Sequence, residues 1–325
     1  MLRHETGQAL QARKECVIEY IKTQEVSMID LSRTVFILGA KDPEMDAIDV
    51  MLMRACFPYL STAIYALSQY KGVSRVTHKD AYEARVNASF GMNDEEDTLV
   101  LVECDGLFMT GRNVRRVVID HHRQGDPGSD KPFAEYWEGS SIGQLAMFLE
   151  NECVRGDGSR ISRDLLDTPR NRLVAAIDHA RFWAVRGECP GVDAVEAQFE
   201  SKRQIAEQFG VSAFAVTSLA RSYYDVLATA PTVRIGGRPV KDVRFAELGE
   251  GYSFDFLVLQ EAAMLLGVPY ISLQIRPGST TVFLNRVDDP ATVEAFMKDW
   301  APAQGLEHIF GVPLRGYAGG VIPME

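Results

Sequence analysis

The stretch Val117-Val118-Ile119-Asp120-His121-His122 restricts the fold more than any other part of the chain. β-Branched residues favour strands over helices, and here an apolar strand runs without a break into one carboxylate and two imidazoles. A second run, Thr98-Leu99-Val100-Leu101-Val102, lacks polar alternation altogether, which predicts a parallel strand covered on both faces. In open parallel sheets ligands collect outside the carboxyl ends of the strands. Asp120, His121 and His122 therefore mark one end of a sheet as the place for chemistry. Taken alone they fit a hydrogen-bonded turn equally well, so other strands must deliver similar groups to the same end.

Several segments do. Val35-Phe36-Ile37-Leu38 empties into a turn that holds Asp42, Glu44 and Asp46, followed by a helix expected over 47–69. Carboxylates this close repel one another unless a cation or base neutralises them; the alternative is that Asp42 or Glu44 caps the helix. The run from Thr98 carries Asp105 at its tip, and 74–78 reads as a short strand ending in His78. A helix beginning near Arg163 leads through Leu173 to Ile177 into Asp178-His179, and Ser140 or Ser141 stands as N-cap of a helix over 142–150.

The rest of the chain completes an α/β organisation. Helical spacing covers most of 1–29, and two helices near 195–209 and 212–228 form a linking hairpin. Beyond it strands (232–235, 240–245, 270–275, 281–285) alternate with helices (254–266, 290–300), and the chain closes on Arg315-Gly316-Tyr317-Ala318-Gly319-Gly320. We expect a parallel-sheet, metal-binding domain over 1–190 with helices on both faces, a helical linker over 191–230, and a smaller mixed α/β domain over 231–325. The cleft between the domains would be the working site.

Composition narrows the partners. A formal net charge of -11 excludes a sequence-independent duplex DNA binder, which needs a basic footprint, but leaves room for a small nucleotide or short single-stranded oligonucleotide in a local basic pocket. The five cysteines are scattered and never form a C-x-x-C pair, which argues against a disulfide framework or a structural zinc site. No apolar run approaches the roughly 20 residues of a membrane span, and Glu5 and Gln8 stand where a signal peptide needs an apolar core. A cytoplasmic protein, with no membrane partner, is the expectation. A homodimer is compatible with all of this.

Oxygen and imidazole donors without thiolate suit manganese, with magnesium, iron or zinc as alternatives. In order and spacing the motifs resemble the DHH phosphoesterase superfamily, which includes manganese pyrophosphatases and phosphodiesterases of short RNA, of pAp and of cyclic dinucleotides. Val117 to His122 is similar to the name-giving motif, Pro43-Glu44-Met45-Asp46-Ala47-Ile48 to the first motif, and Glu138-Gly139-Ser140-Ser141 to a stretch after the central one. The resemblance implies that Asp105 bridges two metal ions and that Asp46, His121 and Asp178 complete one ion's coordination. It places Glu44 on the second ion, His122 against the substrate phosphate, and Asp120 behind its neighbours as their orienting group. Arg116 and Arg123 would offset phosphate charge.

The chain departs from the family pattern where Ala40 replaces the first histidine and Glu44 the first aspartate. One ion keeps its full ligand set and the second does not. Substrate oxygens could fill the gap, or His78 or His179 could replace the missing imidazole, or hydrolysis could be lost and binding kept. The C-terminal part resembles the DHH-associated substrate domain, with Gln274 and Val321 where that domain has arginine and histidine. Arg276, Arg315, Gly319 and Gly320 would then contact the substrate. What the resemblance implies is metal-dependent hydrolysis of a small nucleotide phosphoester, or a lapsed relative that binds nucleotide or metal and regulates.

Overall fold

The computed structural model describes residues 28–39, 42–56, 63–66, 98–104, 114–122, 125–244, 254–276 and 279–323. The N-terminal helix expected over most of 1–29, the strand ending at His78, and Ala40, Asp105 and Arg123 lie outside these residues, apart from 28 and 29.

The chain is mixed α/β. Strands β1 (Ile29–Asp30), β2 (Thr34–Leu38), β3 (Ala63–Ala66), β4 (Thr98–Val102) and β5 (Arg115–Ile119) come first in the described sequence. The last four form a parallel sheet in the order β3-β2-β4-β5. β4 lies between two neighbours and is buried at every residue, as its unbroken apolar run requires. Strand β3 falls inside the range where a helix is expected. Helix α1 instead stops at Cys56 (Pro43–Cys56), and the chain returns to pair Ile64 with Phe36. Ile and Tyr in Ala63-Ile64-Tyr65-Ala66 suit a strand, and pairing with β2 overrides the helical spacing.

Helix α1 packs Met45, Ile48, Met51, Leu52 and Ala55 into the first core, where Phe36, Leu38, Val100, Val102 and Ile119 also lie. Cys153–Val154 (β6) adds a two-residue parallel ladder to β1. Helix α2 (Ser141–Glu152) begins where the sequence places a cap: the Ser140 hydroxyl accepts from the Gly143 N–H. The single helix expected from Arg163 is divided. A short turn, Arg163–Leu166, ends before Thr168, which caps helix α3 (Pro169–Ala184) by accepting from the Asn171 N–H. Pro169 lacks the N–H needed to continue the earlier turn but is well suited to start a new one.

Helices α4 (Ala194–Phe209) and α5 (Ala213–Thr229) form the hairpin, with Asp193 and Ser212 as N-caps and Gly210 at φ 65° as the turn between them. Each cap contributes about 1 kcal/mol. Strands β7 (Thr232–Ile235) and β8 (Arg238–Asp242), helix α6 (Phe254–Leu266), strands β9 (Tyr270–Arg276) and β10 (Ser279–Asn285), helix α7 (Pro290–Ala295) and strands β11 (Glu307–Val312) and β12 (Tyr317–Ile322) follow. They build a mixed sheet, β11-β12-β10-β9-β8-β7, in which only β8 and β9 run parallel. Tyr270 packs with the hairpin and α6, whereas Ile271 packs with Val293 and Phe296 in a separate core. Successive strand side chains point to opposite faces, so this sheet is covered on both.

Strands β11 and β12 are not among the strands expected from the sequence, and β12 takes in Tyr317 to Gly320 of the closing stretch. Gly319 and Gly320 pair with Phe283 and Val282 in the sheet interior. Glycine leaves no periodic signal, which is why the strand is silent in the sequence. Among the described residues, no helix is long and apolar enough to cross a membrane.

Candidate metal centre

Parallel register sets up the site. Leu38, Val102 and Ile119 lie side by side as the last residues of β2, β4 and β5, so the next residues, Gly39, Glu103 and Asp120, share one edge of the sheet. The Glu103 N–H still donates to the Ile119 carbonyl at 2.9 Å, but its φ of 51° takes the chain out of the strand. A left-handed backbone at a non-glycine residue costs on the order of 1–3 kcal/mol and persists only where its surroundings enforce it. Gly39 leaves the room: a Cβ there would lie 2.7 Å from the Glu103 carbonyl oxygen. Gly39→Ala is therefore expected to lower the unfolding midpoint by several degrees and to weaken cation binding, measured by thermal denaturation and calorimetry.

Two helix N-termini meet these strand ends. Asp42 caps α1 by accepting from the Met45 N–H at 2.7 Å, as one of the two sequence alternatives has it. Glu44, in the first turn of α1, crosses to α2, where its Oε1 accepts from the Ile142 N–H at 2.9 Å. A carboxylate at a helix N-terminus is favoured by the unsatisfied N–H groups and the macrodipole. The Ser141 hydroxyl donates to Glu103 Oε1 at 2.9 Å. Glu138-Gly139-Ser140-Ser141 thus works as a unit. Ser140 caps the helix, Ser141 holds Glu103, and Gly139 makes room for the His179 ring, which a Cβ would approach to 2.4 Å.

Asp120 is fully buried and organises both histidines. Its Oδ1 accepts from the His121 N–H (2.7 Å), the His122 N–H (3.0 Å) and His122 Nδ1 (2.9 Å). His122 Nδ1 carries the hydrogen in that bond, which leaves Nε2 as its other nitrogen. His121 Nε2 lies 3.0 Å from Asp178 Oδ2 and 3.7 Å from Glu103 Oε1. Its Nδ1 faces His179 Nδ1 at 3.3 Å, while His179 Nε2 lies 3.0 Å from the Lys131 carbonyl. A carbonyl only accepts, so His179 Nε2 is protonated. Burial, reinforced by Arg315, lowers the His179 pKa to about 3, so the ring is neutral and its Nδ1 accepts from His121. His121 Nδ1 therefore carries the hydrogen of that bond, and Nε2, turned toward Glu103 and Asp178, is the nitrogen a metal ion would take.

Ligand atoms of Glu44, Glu103, His121 and Asp178 all lie within 4.8 Å of one another, and Glu103, His121 and His122 form a second such set. Electrostatics shows what holding these acids together costs. Burial, then the charges of Asp178 and Glu103, push Glu44 well above the usual carboxylate range; burial, Glu103 and Asp178 do the same to Asp42. Burial opposes charge on Asp178 too, but His121, with His122 and Arg315 adding to it, holds the carboxyl below its ordinary value. For His122 burial acts downward, and the charge of Glu103 and the bond to Asp120 overcome it, raising the pKa to about 9. Glu44 Oε2 is buried with no hydrogen-bond partner among the described residues. A divalent cation fits: it neutralises the crowded acids, and the O/N donor set without thiolate suits a hard or borderline ion.

No protein-family model matches this chain, and no curated protein is significantly similar to it.

Of the ligands expected from the sequence, Glu44, His121 and Asp178 converge, with Asp120 and His122 beside them. Asp46 does not. It is exposed on α1, because residues two apart on a helix point about 200° apart and Glu44 already faces inward. Glu103 stands at the strand end where Asp105 is expected to act; the first polar residue after the apolar run of β4 was its signal. His179 backs His121 and is not among the converging ligands.

Arg116 is exposed four residues before Asp120, roughly 13 Å back along β5, too far to serve the strand-end site. Gly319 and Gly320 instead give space to Phe310 and Leu306, whose side-chain atoms would lie 2.5 and 2.9 Å from added Cβ atoms. Of Arg276 only the backbone, at the end of β9, is described. Arg315 does reach the site: its NH1 donates to the His121 carbonyl at 2.9 Å. It shares with His121, His122 and Asp178 a cavity of about 460 Å³.

Proposed function

We propose that the protein is a divalent-cation-dependent phosphoesterase acting on a small nucleotide, built on a DHH-like arrangement, with manganese as the natural ion. The observation that carries this is the convergence of Glu44, Glu103, His121 and Asp178, from the start of α1, the ends of β4 and β5 and the interior of α3, beside an open cavity. Bound there, a cation supplies Lewis acidity: it lowers the pKa of water and neutralises charge on a phosphoryl group. Glu44, Glu103, His121 and Asp178 would hold it. Glu103 and His121 also belong to the set with His122, so a second ion would share them and have fewer protein donors. Asp120 orients His122, which lines the cavity where phosphate charge would develop. Arg315 adds a fixed positive charge on the same cavity wall.

A second reading is a nucleotide-binding regulator without turnover. It is favoured by Ala40 in the first motif and by a single four-donor set among the described residues.

Purified protein with manganese, tested on bis-p-nitrophenyl phosphate, pApA and pyrophosphate, separates the readings. Hydrolysis of the diesters that disappears in His121→Ala supports the phosphoesterase. Turnover that survives His121→Ala is a contaminant's and removes that support. Absence of turnover with nucleotide-dependent thermal stabilisation moves the assignment to the regulator.

A further inference from the structure

Arg286 lines the same cavity as His121, His122 and Asp178 but belongs to neither set of candidate metal ligands. It follows the last residue of β10 and holds a left-handed backbone, φ 63°, that an arginine rarely adopts. Its NH2 donates to Gln260 Oε1 on α6 at 2.7 Å, and its guanidinium carbon lies 5.9 Å from the centre of the Phe182 ring. Nε is buried with no hydrogen-bond partner, and among the described residues no carboxylate forms an ion pair with Arg286. Burial lowers its pKa to about 10, so it stays charged at neutral pH. A sequestered cation with an unused donor is costly unless a ligand supplies the anion.

The surroundings say what sort of ligand. Arg286 and Arg315 line the same cavity as His121, His122 and Asp178, and the rings of Phe256, Phe283 and Tyr317 line it too. Planar guanidinium groups recognise phosphate and carboxylate, and aromatic faces accept a flat ring.

We propose that Arg286, held by Gln260, binds a second anionic group of the ligand, one distinct from the phosphoryl group at the acidic cluster. The ligand class is then a compound with two anionic groups and a flat ring between them. This rests on the phosphoesterase reading above for the position of the first group.

The test compares a dinucleoside monophosphate with the same compound carrying an added terminal phosphate, in the presence of manganese. The wild type is expected to prefer the phosphorylated form. In Arg286→Met the ratio of the two kcat/KM values is expected to fall by on the order of tenfold or more, with part of the preference regained in Arg286→Lys. Equal losses on both compounds would mean that Arg286 only supports the fold, and the proposal fails. Should the wild type hydrolyse neither, the phosphoesterase reading is the one that fails, and calorimetric binding of the same pair decides the anion site. It stands if the added phosphate tightens binding in the wild type but not in Arg286→Met. It falls if the two affinities are equal.

Discussion

Glu103→Gln is expected to weaken divalent-cation binding by at least about 100-fold, near 3 kcal/mol, while the protein stays folded. Glutamine keeps the oxygen that accepts from the Ser141 hydroxyl, so the contact to α2 survives. What disappears is a charge shared by both candidate ligand sets. The same charge is the foremost influence raising the His122 pKa, so an NMR titration of His122 should show it falling from about 9 in the variant. Calorimetric manganese titrations of Glu103→Gln and Asp105→Ala provide the comparison. If Glu103 is the ligand, Asp105→Ala retains the ion. Wild-type affinity in Glu103→Gln beside lost affinity in Asp105→Ala would place the centre elsewhere along the chain.

Sequence is a good guide to this site where local chemistry decides and a poor one where tertiary placement does. Ser140 announces a helix start because a side-chain oxygen satisfies an N–H group within the next turn, whatever the rest of the fold does, and the structure shows Asp193 and Ser212 capping α4 and α5 in the same way. The run from Thr98 to Val102 is legible as a covered parallel strand for a similarly local reason. β3 and β12 are not. The first exists because β2 offers an edge to pair with, and the second carries glycines that fit only because Phe310 and Leu306 press against them.

The ligand set follows the same division. Asp120 and His121 stand at the end of an evident strand, but Glu103 comes into view only through the register that sets Val102 beside Ile119, and Asp105 lies outside the described residues. Separating Glu44 from Asp46 needs the start of α1 four residues further back than the apolar pattern suggests. Once Pro43 begins the helix, the two acids cannot face the same way. Arg286 leaves no trace in the sequence, since its lack of an ion-pair partner among the described residues is a product of the fold.

Stripped of divalent cations with a chelator, the protein is expected to lose thermal stability as pH rises from 6.5 to 9. His122 supplies the clearest part of the argument. Its folded pKa of about 9 exceeds the ordinary 6.5, so its stabilisation is complete below pH 6.5 and is lost as pH climbs through 9. Glu44 and Asp42 act in the same direction. Their carboxyls are raised when folded, so the native state binds more protons than the unfolded chain until each raised value is passed. Each net proton makes stability fall by about 1.4 kcal/mol per pH unit. Two groups at the site shift the other way but weigh little in this window. His179 is lowered to about 3, so here only the unfolded imidazole takes up protons, about half of one at pH 6.5 and almost none above pH 7.5, and Asp178, held below its ordinary value, loses its stabilising charge only in acid. Manganese should replace the missing protons, so the rise in unfolding midpoint that it produces should be larger at pH 8.5 than at pH 6.5, by a few degrees. Glu44→Gln removes one of the titrating carboxyls and is expected to flatten the cation-free slope. A chelated protein whose midpoint climbs with pH over this range would mean that the buried acids are neutralised by something other than protons or a metal ion.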